Sequence, residues 1–103
     1  GGMADIECFD KDCNPLVEVT LMQARTQATN EMPAITRHLT EAIEKYPDTK
    51  VFTLFIAPAL HADTIYMAGY SKYKYNVDIV TLNIKDFIAK LGEVVSIIDF
   101  VTQ

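Results

Sequence analysis

The chain has 103 residues, 50% of them hydrophobic and 22% charged, with 4 Gly and 4 Pro. That length suits one self-sufficient core, so a single domain over residues 1–103 is expected. The composition excludes a disordered, collagenous or low-complexity protein. No apolar run approaches the roughly 18 residues of a membrane span, and the Gly-Gly-Met-Ala-Asp start carries no basic region followed by an apolar stretch. No membrane is therefore expected as a partner. Cys8 and Cys13 read as ordinary thiols of a reducing compartment, which makes the expected location cytoplasmic. The net charge of −5 argues against a free-standing nucleic-acid binder, whose surface is ordinarily basic. Chemistry through metal-bound carboxylates stays open.

Residues 4–9 alternate and residues 16–22 are rich in β-branched and apolar side chains, so both predict strands. Residues 10–15, Asp-Lys-Asp-Cys-Asn-Pro, carry turn chemistry and make the pair a β-hairpin. A helix follows over 27–46, with Met32, Ile35, Leu39, Ala42, Ile43 and Tyr46 as its buried stripe and Pro33 confined to its first turns. The nearly continuous apolar run over 51–57 predicts a strand buried on both faces. A second helix is expected over 62–73 with Asp63 as N-cap, then a strand over 77–82, then a short helix to Leu91 capped by Asn83. Residues 93–103 fit either an edge strand or a helix. The order β-β-α-β-α-β-α predicts an α/β fold, a mixed sheet of a β-hairpin plus a β-α-β unit flanked by helices.

Five of the fourteen acids, Asp5, Glu7, Asp10, Asp12 and Glu18, fall in the first eighteen residues beside one base, Lys11. With Lys11 and Asp12 at the centre of the turn, paired residue numbers sum to 23, and Asp5 faces Glu18. Opposed Cβ atoms lie about 4.5–5.5 Å apart. Two ionised carboxylates that close repel by a few kcal/mol at an effective dielectric of about 20. A shared proton, a cation or a bound metal offsets that repulsion, and oxygen ligands suit a hard dication such as Mg²⁺. Alternatively the hairpin is slipped and its acids meet only water. Gln27, Glu31 and His38 share one helix stripe, which brings Glu31 to the same place if the helix packs its start over the hairpin.

Asp5, then Val17-Glu18-Val19-Thr20-Leu21, Arg25, Gln27, Glu31 and Arg37-His38-Leu39 together resemble the PD-(D/E)XK nuclease core. More narrowly, they resemble the AlwI/MlyI-type IIS restriction endonucleases and related nicking enzymes. Asp5 to Glu18 and Glu18 to Glu31 are both intervals of thirteen residues. The resemblance implies a restriction-endonuclease-like core that hydrolyses phosphodiesters of double-stranded DNA. It implies that Asp5 and Glu18 bind Mg²⁺ (Mn²⁺ as substitute), with the Val19 carbonyl as a further ligand. Glu31 would orient water or a second ion, and Gln27 would complete the pocket. Thr20 stands where the motif ordinarily has Lys, and Ala4 where it has Pro. The resemblance further implies a homodimer or a paired subunit, with sequence recognition in a domain outside these residues. A non-catalytic dimerisation or scaffold module of the same fold, and a repair- or phage-type nuclease, are the alternatives.

Tyr70, Tyr73 and Tyr75 interleave with Lys72 and Lys74, a pattern that fits stacking on nucleic acid, packing over the core, or a dimer contact. His38 and the two cysteines lack companions at zinc-ligand spacing. There is no glycine-rich phosphate loop, and neither Ser71 nor Ser96 sits in a nucleophile elbow.

Overall fold

The computed structural model describes residues 6–7, 13–22, 26–94 and 96–102. Along the chain run β1 (Ile6–Glu7), β2 (Cys13–Val19), a π-helical turn (Gln27–Glu31), α1 (Met32–Lys45), β3 (Lys50–Ala57), α2 (Ala62–Tyr75), β4 (Ile79–Asn83), α3 (Ile84–Leu91) and α4 (Asp99–Thr102). The four strands form one sheet in the order β1-β2-β3-β4, with β1 antiparallel to β2 and the other pairs parallel. This is the expected mixed sheet flanked by helices. The described hairpin pairs are Ile6 with Val17 and Glu7 with Leu16, so their numbers sum to 23 as the hairpin register predicts.

Two differences from expectation have physical causes. Cys13, Asn14 and Pro15 belong to β2 rather than to the turn, because pairing with Lys50, Val51 and Phe52 buries all three. Burial outweighs their local turn preference. Asp63 lies in the first turn of α2; the cap is His61, whose Nδ1 accepts the Asp63 N–H at 3.1 Å. Of the two readings open for the tail the helix is the one formed, α4, since Phe100 inserts into the core and stacks on Phe87 at 5.7 Å between ring centroids. The Asn83 cap of α3 forms as predicted, its Oδ1 accepting the Asp86 N–H at 2.8 Å.

Strand alternation divides the core. On one face Leu16, Val51, Phe55 and Ile79 pack beneath Met32, Ile35, Leu39 and Ala42 of α1 and Ala68 of α2. On the other, Cys13, Phe52 and Leu54 meet Phe100, with Phe87, Val94, Ile97 and Ile98 packed around them. The α1 face also buries polar groups. The Asn14 amide and the Thr53 hydroxyl have no hydrogen-bond partner there, and each such group costs free energy. Replacing Thr53 by Val keeps the shape and removes the unpaired hydroxyl. Thr53→Val is expected to raise unfolding free energy by about 1 kcal/mol in urea titration.

At the N-terminal edge of the parallel strands, Asp78 is gripped by Lys50 and Lys72, the latter at 3.1 Å. Burial alone raises the Asp78 pKa, but hydrogen bonds from Lys50 and then Lys72, with their charges, overcome it and hold it below the ordinary 3.8. A carboxyl whose folded pKa is depressed contributes stability above its unfolded pKa and loses it as pH falls through the folded value. Asp78→Asn should therefore cost up to about 1 kcal/mol at neutral pH. The difference from wild type should vanish as pH drops below 3.8, read by denaturation across an acid pH series.

Candidate functional site

The site forms where the parallel strands end. Glu18 and Thr20 project from the same face of β2 and its exit, the face that α1 covers, and both are buried (7% exposed each). A strand carboxylate in such a place loses hydration and requires hydrogen-bond partners. His38 supplies one: its Nδ1 lies 3.0 Å from Glu18 Oε1, and both side chains are about nine-tenths buried. An ionised carboxylate can only accept, so Nδ1–H is the donor to it.

Glu31 reaches the same face from the end of the π-helical turn. Its Oε1 accepts the Thr20 hydroxyl at 3.0 Å, while Thr20 Oγ1 accepts the Met22 N–H at 3.1 Å. Glu31 and His38 stand seven residues apart, two turns of one helix face. The first meets Thr20 and the second Glu18 because α1 runs back over β2. Glu31 is half-buried and Leu21 and Met22 are exposed, so the carboxylates sit at the margin of the core beside solvent.

Gln27 is fully buried, and its amide closes four hydrogen bonds. Nε2 donates to the carbonyls of Met22 (2.6 Å) and Ala59 (2.8 Å); Oε1 accepts the His61 N–H and the Thr64 hydroxyl, each at 2.8 Å. The side chain thus ties the exit of β2 to the loop after β3 and to the first turn of α2. Glu18, Thr20, Gln27 and Glu31 are all brought to this end of the sheet. Val19 ends β2 with its side chain on the opposite face, paired to Ile56. Asp5 lies outside the described residues. Sequence reasoning placed His38 on the stripe of Gln27 and Glu31 but missed its bond to Glu18. The signal was that shared stripe, read only against zinc chemistry.

Among the described residues no three His, Cys, Asp or Glu side chains converge as a ready-made metal cage. The donors present are nevertheless of one kind. Two carboxylates and backbone carbonyls at a strand end are hard oxygen ligands of the type Mg²⁺ takes, so the chemistry of this donor set fits such an ion.

Removing the Gln27 amide strands four partners at once, the buried Thr64 hydroxyl among them. Gln27→Ala is expected to destabilise the fold by about 2–4 kcal/mol, as each unpaired buried group costs about 1–3 kcal/mol and relaxation recovers part. Chemical denaturation measures it, and a loss under about 0.5 kcal/mol, within the range of ordinary surface substitutions, would contradict the role given to this side chain.

The family model for AlwI restriction endonuclease matches residues 1–89. A comparison with curated protein sequences finds no match. Among solved structures, the chain is similar to the small subunit of the heterodimeric restriction endonuclease R.BspD6I, with TM-score 0.79 and 22% identity, over 89% of this chain and 47% of that one. The chain thus spans about half the length of that neighbour, whose likeness at this identity concerns the fold. With the family match extending over most of its length, the chain belongs to the AlwI restriction endonuclease family.

Proposed function

We propose that this domain hydrolyses phosphodiester bonds of double-stranded DNA with the help of Mg²⁺, Mn²⁺ serving as a substitute. The observation that carries the reading is the pair of carboxylates, Glu18 and Glu31, set on either side of Thr20 on one face at a strand end. In this reading Asp5 of the PD-(D/E)XK motif, Glu18 and the Val19 carbonyl hold the ion. A bound Mg²⁺ supplies Lewis-acid polarisation of the phosphate and a lowered pKa for water. The protein's own part is positioning and proton handling. The His38 Nδ1–H fixes the Glu18 carboxylate. Thr20 fixes one oxygen of Glu31, leaving the other to orient a water and take its proton as the water oxygen bonds to phosphorus. The bond from phosphorus to one sugar oxygen breaks, and that oxygen leaves with the electron pair and takes a proton from solvent. Gln27 acts through the backbone, holding the β2 exit and the loop after β3 in register.

Thr20 brings no cation to the place a motif Lys would fill. The net charge of −5 gives the domain little attraction for DNA, so recognition is assigned to a segment or subunit outside these residues. Cutting both strands requires two such sites, hence a homodimer or a paired subunit. The missing Lys charge favours a second reading, a non-catalytic subunit of this family that retains the fold.

Calorimetric titration with Mn²⁺ and a Mg²⁺-dependent plasmid-cleavage assay test the proposal together. Wild type should give a binding isotherm that Glu18→Gln abolishes. His38→Ala should weaken metal affinity by about 10–100-fold, the usual effect of removing a group that orients a ligand. Cleavage that survives Asp5→Ala and Glu18→Ala would exclude the assignment; absence of an isotherm in wild type would leave the non-catalytic subunit.

A further inference from the structure

The loop after β3 joins α2 through a histidine that the proposed chemistry leaves unused. His61 caps this fourteen-residue helix, its ring Nδ1 accepting the Asp63 N–H at 3.1 Å. Its own N–H donates to Gln27 Oε1 at 2.8 Å, and its carbonyl accepts the Thr64 and Ile65 N–H groups at 3.0 and 3.3 Å. One residue therefore links the first turn of α2 to the amide that also holds the Met22 and Ala59 carbonyls. The usual capping residues, Ser, Thr, Asp and Asn, accept through oxygen. A ring nitrogen accepts only while it carries no proton, so the neutral His61 ring has its proton on Nε2.

A second partner stands ready for the protonated ring. Asp63 Oδ2 lies 3.8 Å from the same Nδ1, too far for a hydrogen bond but within a small turn of the ring. The two side chains are 31% and 52% exposed, so solvent protons reach both. Charged groups on the elements packed against α2 are engaged elsewhere. Glu31 of the π-helical turn accepts from Thr20, and His38 of α1 pairs with Glu18. Asp78, just before β4, is held by Lys50 and Lys72 at the far end of α2. The start of α1 meets α2 through Met32, Pro33 and Thr36.

We propose that His61 is a proton-operated latch on this end of the sheet. Taking a proton from solvent turns Nδ1 from acceptor to donor, and it exchanges the Asp63 N–H for the Asp63 carboxylate. The first turn of α2 then loses its cap, and the macrodipole opposes a positive ring at the helix N-terminus. Because Gln27 Oε1 accepts both the His61 N–H and the Thr64 hydroxyl, the loosening passes to the amide that positions the β2 exit. The purpose of the latch, a site held firmly only at neutral pH and above, rests on the nuclease reading; its geometry does not.

Amide hydrogen exchange on the whole chain, read by NMR together with the His61 ring nitrogens, tests the latch without metal or DNA. At about pH 8 the ring should carry its proton on Nε2. Between about pH 8 and about pH 5, the range in which histidines change charge, the protection factors of Thr64 and Ile65 should fall by about 5-fold, the usual effect of losing a cap. The fall should follow the ring signal. His61→Asn keeps a capping acceptor that does not titrate, so its protection should stay level over the same range; His61→Ala should be low throughout. Level protection in wild type while the ring titrates overturns the proposal. So does an equal fall in His61→Asn, which assigns the effect to another group such as His38. Either result beside a normal Mn²⁺ isotherm removes the latch and spares the nuclease reading.

Discussion

The end of the sheet is organised by the Gln27 amide, whose hydrogen bonds join the exit of β2 to the loop after β3 and the first turn of α2. Of the partners the Thr64 hydroxyl is buried and the other three lie nearer the surface, and all four bonds depend on one side chain. The π-helical turn that carries Gln27 holds one more residue per hydrogen-bonded ring than an α-helix, and such turns recur at functional sites. Here it begins with Gln27, aimed at the strand-to-helix junctions, and ends with Glu31, aimed at Thr20. A uniform α-helix over the same residues would turn these two side chains differently relative to the sheet.

The acidic pair follows from β2. Alternation sends Leu16, Glu18 and Thr20 to the α1 face, where Leu16 joins the apolar core and Glu18 and Thr20 mark its polar boundary. An acid at that boundary is costly unless a donor faces it, and His38 and Thr20 are the donors for Glu18 and Glu31. The same bonds that make the carboxylates tolerable also fix their orientation. Two carboxylates are thereby set rigidly at a strand terminus.

Much of this was legible in the sequence, because the strongest signals there are periodic. The hairpin register came from the turn position and survives in the pairs Ile6–Val17 and Glu7–Leu16. The helix stripe through Met32, Ile35, Leu39 and Ala42 is the buried face of α1. What failed was local chemistry overruled by tertiary contact. Cys13-Asn14-Pro15 looks like a turn until β3 pairs with it. Asp63 looks like a cap until His61, with an equally good acceptor, takes the place two residues earlier. The His38–Glu18 bond joins residues twenty positions apart, and no rule of spacing along a chain anticipates a contact made by laying a helix back across a strand.

One consequence of the strand order concerns solubility. Among the described residues β4 is paired on one side only, with β3, so its outer backbone amides are a potential template for strands of other molecules. The strand is only five residues long and passes directly into α3 at Asn83. So short a margin offers few donors and acceptors in a row, which keeps this edge from seeding ordered aggregation.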